Sequence, residues 1–217
     1  MNQIFLTDIS EALNDADAFI AYALPKMSDR RKEKINRLKV TGDKVRCAAC
    51  GLLLNMAYSD YNGADSIPVE TECKNGRPIT GDPDFHYSLS HSDKICGIIW
   101  SDKNCGIDIQ AHVPLKQDIA GRFFHSDEKK YIEETNDKSL VFDIWCAKEA
   151  LIKYDGKGLS YGLDKFSTIP LIKTGEVVFN DKTLYGNISR PDEGSYSLAY
   201  VGETPDFSVN KYLIKFN

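Results

Sequence analysis

Apolar side chains recur at helical spacing in two places along the chain. Val45, Ala48, Ala49, Leu52, Leu53 and Met56 make one stripe, which predicts an amphipathic helix over residues 43–60. Leu140, Ile144, Ala147 and Leu151 make a second and predict a helix over 138–154. Short runs rich in β-branched and aromatic residues predict strands over 86–90, 95–101, 106–110, 176–179, 183–189 and 195–201. Turn-rich stretches at 61–66, 73–84 and 155–162 separate these elements. Helices and strands are mixed in both halves, an α+β pattern.

Two short echoes suggest that the halves are alike. Tyr87-Ser-Leu-Ser90 returns as Tyr196-Ser-Leu-Ala199, and Cys47-Ala48 in the first helix returns as Cys146-Ala147 in the second. The expected division is an N-terminal half over 1–105 and a C-terminal half over 106–217. Where two such halves meet is a natural place for a ligand.

Composition narrows the class. With 217 residues, 42% in the AVILMFWYC set and 27% charged, the chain can bury a core and is polar enough to dissolve. Its longest apolar runs, 51–54 and 96–100, are too short to cross a bilayer, so no membrane span is expected. Asp8, Glu11, Asp15 and Asp17 interrupt the N-terminus where a secretory signal would be apolar, so a cytoplasmic location is expected. The six cysteines are too sparse for a disulfide scaffold. Cys47-x-x-Cys50 falls inside the predicted helix with no second ligand pair, so buried thiols are expected.

A net charge of −5 argues against a protein built chiefly to hold nucleic acid. Its distribution says more. Between Pro25 and Arg46 nine basic residues face three acidic ones, a local +6 that is either a solvated helix face or an anion site. No aromatic residue is interleaved with these charges, as single-stranded nucleic-acid binding would require.

Three segments carry chemistry. In Gly106-Ile-Asp-Ile-Gln110, strand alternation puts Asp108 and Gln110 opposite the two isoleucines, an oxygen-ligand pair unless the strand is merely half exposed. In Trp145-Cys-Ala-Lys-Glu149-Ala-Leu-Ile-Lys153, Trp145, Glu149 and Lys153 share one helix face. The large aromatic implies that this face is partly buried, where a carboxylate and an ammonium need a metal, a phosphate or each other. Ser90-His91-Ser92, with Arg77 upstream, offers phosphate donors. A Ser/His hydrolase is disfavoured because no Gly-x-Ser-x-Gly elbow is present. Gly156-Lys-Gly-Leu159 lacks P-loop spacing and reads as a turn.

In this order the segments resemble the Sfp-type 4′-phosphopantetheinyl transferases. The resemblance runs from Arg30–Arg46 through Gly76-Arg-Pro78, Phe85-His-Tyr-Ser-Leu-Ser-His-Ser92, Gly106-Ile-Asp-Ile-Gln110 and Arg122-Phe-Phe-His-Ser-Asp-Glu128. It continues through Trp145-Cys-Ala-Lys-Glu149 to Lys153-Tyr-Asp-Gly-Lys-Gly-Leu-Ser160. It implies a pseudo-dimer of two similar α/β halves. The implied activity is transfer of the 4′-phosphopantetheine arm of coenzyme A to a serine of an apo acyl or peptidyl carrier protein, releasing 3′,5′-ADP. By motif it assigns coenzyme A contacts to Arg31, Lys34, Arg46, Arg77, Ser90, His91 and Lys153, with the basic segment in the N-terminal half. It assigns Mg²⁺ ligation to Asp108 and Glu149 in the C-terminal half, with Gln110 standing where some members carry a second acid and others lack it. Catalysis falls to Glu149 and Lys153, with Glu128 as an alternative base, and Phe123 and Phe124 are candidates for an apolar carrier-facing surface or for core. The expectation is a monomer without nucleic-acid or membrane partners. The alternative is a coenzyme A or nucleotide-binding module without transferase activity, which would keep the basic segment and lose the metal carboxylates.

Overall fold

A computed structural model describes residues 1–72, 77–114, 118–158 and 162–216. Its contacts divide the chain into two units, Met1–Lys103 with Asp206–Asn217, and Asn104–Pro205. Cys73 and Gly76 from the sequence reading, and Leu159 and Ser160 of the glycine-rich turn, lie outside the described residues. No described helix is long and apolar enough to cross a membrane.

The first unit runs β1 (Asn2–Asp8), α1 (Ser10–Asn14), α2 (Ala16–Ala23), α3 (Asp29–Arg37), α4 (Thr41–Asn62), β2 (Glu70–Glu72), β3 (Pro78–Thr80), β4 (His86–Ser92) and β5 (Ile95–Ser101). It is completed by β10 (Phe207–Tyr212) from the C-terminus. Four strands form a sheet in the order β10-β1-β5-β4, and β2 and β3 pair separately. Strand β10 runs parallel to β1, which is why residues 206–217 belong with this unit. The apolar stripe of α4 is buried as its spacing predicts: Val45, Ala48, Ala49, Leu52 and Leu53 pack with Phe5 and Ile98, and Met56 lies at the margin. The helix ends where Gly63 takes a left-handed conformation (φ +70°) and returns its N–H to the Ser59 carbonyl.

The second unit runs β6 (Cys105–Ala111), α5 (Ile119–Phe123), α6 (Ser126–Thr135), α7 (Leu140–Asp155), α8 (Ile169–Thr174), β7 (Glu176–Phe179), β8 (Lys182–Ser189) and β9 (Tyr196–Gly202). Its sheet, in the order β6-β9-β8-β7, is antiparallel throughout. Cys146, Ala147, Ala150 and Leu151 of α7 pack against Leu184, Ala199 and Val201.

The two units repeat one plan, in agreement with the α+β fold of two similar halves. In each, the first strand pairs antiparallel with the last hairpin strand (β1 with β5, β6 with β9), and the long helix packs on that pair. The Cys-Ala echo joins the counterpart helices α4 and α7. The Tyr-Ser-Leu echo does not mark the repeat: it joins β4 to β9, whereas the counterpart of β9 is β5.

A buried ion pair fastens the second unit. His125 caps α6 with its side chain, and Glu128 Oε2 accepts from the His125 backbone N–H at 2.8 Å. The same oxygen meets Lys148 Nζ at 2.8 Å, while Oε1 accepts from the Thr168 N–H at 2.7 Å and its hydroxyl at 2.8 Å. Lys148 spends its other hydrogens on the carbonyls of Leu163 and Phe166, both at 2.7 Å. Burial pulls the Lys148 ammonium down from its ordinary pKa, and Glu128 opposes that shift. Both side chains are inaccessible to solvent. Glu128 is therefore a structural anchor, and the expectation of a base there finds no free lone pair. Phe124 likewise belongs to the core, with Leu140 and Ile144, whereas Phe123 is half-buried with its ring 5.8 Å from that of Trp145. Removing one partner of such a pair strands the other, so Glu128→Ala or Lys148→Ala should lower unfolding free energy by about 3–5 kcal/mol in urea titrations. Pairing Glu128→Leu with Lys148→Met should cost much less than the sum of the single changes.

Candidate active site

In the second unit, alternation along β6 buries Ile107 and Ile109 on one face and leaves Asp108 and Gln110 on the other. Gly106 lets this strand approach α7 closely, since a Cβ there would overlap the carbonyl oxygen of Ala150. The half-buried stripe of α7, Trp145, Glu149 and Lys153, is the one that i, i+4 spacing predicts. Lys153 Nζ meets Asp108 Oδ1 at 2.7 Å, so helix and strand are joined by an ion pair with the carboxylate the more buried partner. Burial pushes the Glu149 carboxyl above its ordinary pKa, the charge of Asp108 adds to the rise, and Lys153 offsets part of it. Gln110 is half-buried and donates through Nε2 to the carbonyl of Ala111 at 3.2 Å. This leaves its amide oxygen as the group with ligand chemistry.

No group of three His, Cys, Asp or Glu side chains is gathered for a metal among the described residues. Two carboxylates and an amide oxygen are nonetheless a hard-oxygen donor set, and the burial and Asp108 charge that together raise Glu149 are what a cation would offset. Magnesium is commonly held by one or two carboxylates together with substrate phosphates and water rather than by a complete protein cage. The residues present fit that mode.

The first unit holds a cavity of about 320 Å³ lined by Arg31, Lys34 and His91, three of the residues expected to contact coenzyme A. Arg46, Arg77 and Ser90 do not line it. Arg46 binds Asp43 at 2.7 Å and the Asp93 carbonyl at 3.2 Å, Arg77 reaches the Tyr87 carbonyl at 3.5 Å, and Ser90 is buried in β4. The cavity is also less cationic than the sequence suggests. Ser28 caps α3 and turns Arg31 inward, where Nε donates to Glu70 Oε1 at 2.8 Å and Nη2 donates to Oε2. Gly51 makes room for that side chain, because a Cβ there would overlap Arg31 Cδ. Burial works against the Arg31 charge, but the hydrogen bonds and charge of Glu70 more than offset it and raise its pKa. Glu72 pairs with Arg30 at the exposed rim. Lys34 and His91 remain exposed on the cavity wall.

Sequence reasoning missed Glu70 and Glu72. Their i, i+2 spacing was the available signal, but it lay in a three-residue strand with no apolar pattern. It also missed Cys146, whose buried Sγ lies 3.4 Å from Asp108 Oδ2. Burial and that carboxylate push the Cys146 thiol well above its ordinary pKa.

A model of the 4′-phosphopantetheinyl transferase superfamily matches residues 104–208. The chain is 41% identical over 108 residues to the 4′-phosphopantetheinyl transferase psf-1 of Bacillus pumilus, covering 48% of this chain and 46% of that protein. It is 27% identical over 199 residues to 4′-phosphopantetheinyl transferase Sfp of Bacillus subtilis (strain 168), covering 88% of each. With the 4′-phosphopantetheinyl transferase ffp of Bacillus subtilis it shares 29% identity over 202 residues, again covering 88% of each. The chain thus spans about half of psf-1 and most of the other two. The motifs, the two-unit fold and these relatives point the same way: residues 104–208 match the 4′-phosphopantetheinyl transferase superfamily, and the chain as a whole is similar to named 4′-phosphopantetheinyl transferases.

Proposed function

We propose that the protein transfers the 4′-phosphopantetheine arm of coenzyme A to a serine hydroxyl of an acyl or peptidyl carrier protein, with Mg²⁺, releasing 3′,5′-ADP. The observation that carries this reading is the Asp108, Glu149 and Lys153 cluster, two like charges and a cation fixed on tightly packed β6 and α7. Asp108 and Glu149 would hold the metal, with Gln110 contributing its amide oxygen. When bound, the ion spreads the negative charge that builds on the diphosphate during attack at its β-phosphorus. Lys153 is within reach of the same oxygens and stabilises the departing 3′,5′-ADP. With Glu128 committed to Lys148, Glu149 is the carboxylate that remains to accept the serine proton, directly or through a water.

In the first unit, Lys34 and His91 would take the nucleotide phosphates, with Arg31 behind them held by Glu70. Binding energy gained there, away from the reacting bond, serves to position the β-phosphorus. We further propose that the enzyme works as a cytoplasmic monomer.

Weighing a carrier protein after incubation with the enzyme, coenzyme A and magnesium tests the reading. The carrier should gain the phosphopantetheine mass, and excess EDTA should abolish that gain. Coenzyme A binding with no gain under any metal condition would favour the binding-module alternative. Asp108→Ala and Glu149→Ala should each lower kcat on the order of 10²-fold or more, through lost charge on the ion and, for Glu149, a lost base. Gln110→Ala should cost far less at saturating magnesium, because water can fill its position; equal damage would make Gln110 an essential ligand. Coenzyme A should bind more tightly than its 3′-dephospho form at low salt, and Lys34→Ala with His91→Ala should shrink that difference. An undiminished difference would place the 3′-phosphate elsewhere.

A further inference from the structure

Asp108 presents its two carboxylate oxygens to different surroundings. Oδ1 meets Lys153 on the half-buried face of α7, while Oδ2 faces the fully buried Sγ of Cys146 at 3.4 Å. The same sulfur lies 3.2 Å from the carbonyl oxygen of Ser197. A thiol has one hydrogen and serves one of these acceptors at a time. The carboxylate is the charged acceptor, and charge-assisted bonds are the stronger. A thiol turned the other way would also leave a sulfur lone pair against Oδ2 inside the core.

The surroundings hold Cys146 in place. The Ser197 hydroxyl donates to Asp143 Oδ1 at 2.5 Å, and Asp143 Oδ2 is bound by Arg190 Nε at 3.0 Å and Nη2 at 2.6 Å. Asp143 precedes Cys146 by three residues on α7, so the helix and the Ser197 segment of β9 are tied together one turn before the sulfur. The terminal torsion of an aspartate, by contrast, has broad and shallow minima, so its hydrogen bonds decide how the carboxylate is turned.

We propose that Cys146 is a positioning residue whose S–H bond to Oδ2 helps set the rotation of the Asp108 carboxylate, keeping Oδ1 turned to the half-buried face of α7 where Asp108 would hold a cation. The inference rests on the reading of Asp108 as a metal ligand. Groups that orient ligating carboxylates typically contribute 10- to 100-fold to metal affinity, and a thiol, a weak donor, belongs at the low end.

The test is Mn²⁺ affinity at saturating coenzyme A, read from the electron paramagnetic resonance signal of the free ion, for the unaltered protein, Cys146→Ser, Cys146→Ala and Asp108→Asn. Cys146→Ala should bind Mn²⁺ about tenfold more weakly. Cys146→Ser, which restores a donor, should stay within about threefold of the unaltered protein, with thermal midpoints reporting that both variants fold. If Cys146→Ala binds as the unaltered protein does while Asp108→Asn loses affinity, the positioning role is wrong and the metal reading stands. If the serine and alanine variants weaken equally, the volume of the sulfur matters rather than its hydrogen, and the proposal is overturned. Unchanged binding by Asp108→Asn would remove the metal reading itself, and this inference with it.

Discussion

The candidate site depends on how closely β6 can approach α7. Any side chain at position 106 would overlap the carbonyl oxygen of Ala150, so strand and helix meet at this distance only over a glycine. Two residues along, the pleat turns Asp108 to the same side, against the helix. Close packing excludes water from one edge of that carboxylate and brings it near Glu149 and Lys153 on the next turns of α7. The raised Glu149 pKa, the Lys153 ion pair and the sulfur at Oδ2 all follow from that approach. A strand and helix spaced farther apart would let water in, and the interaction between the two carboxylates would be screened.

The basic segment of the first unit and the Asp108 cluster of the second handle charge differently. In the first, the cations that make the local +6 are largely answered from within: Arg30 by Glu72, Arg31 by Glu70, Arg46 by Asp43. Arg31 can be buried only because its partner is buried with it; an unpaired guanidinium there would carry the full desolvation cost. In the Asp108 cluster of the second unit, two carboxylates lie beside one lysine, which is ion-paired with Asp108 and offsets part of the rise in the Glu149 pKa.

Much of this was legible in the sequence wherever a period could be read. The stripes of α4 and α7 and the alternation around Asp108 are consequences of 3.6- and 2-residue repeats, and the structure places those residues as the repeats require. Strand β1 escaped because it is paired on both sides and buried along most of its length, leaving no alternation to detect. Strand β10 is short and irregularly exposed, and only its parallel pairing with β1 reveals that the chain returns to the first unit. The ion partners were illegible for a different reason. Glu70 lies 39 residues from Arg31, and Glu128 lies 20 from Lys148, and no local spacing rule reaches so far.

Lys148 and Glu149 show where reading by residue type stops. They are adjacent in one motif and of opposite charge, and on an extended chain they would look like a pair. A helix turns about 100° between neighbours, so they point into different surroundings. Lys148 enters the core, where Glu128 and two carbonyls use its three hydrogens, and its work is to hold the 163–168 segment against α6 and α7. Glu149 stays half-buried beside Asp108, with its proton affinity raised. Any resident of the first position must satisfy fixed oxygens, whereas the second carries its charge beside another carboxylate at a half-buried surface. Both positions fall on one turn of one helix, and their surroundings divide according to which side of that helix faces water.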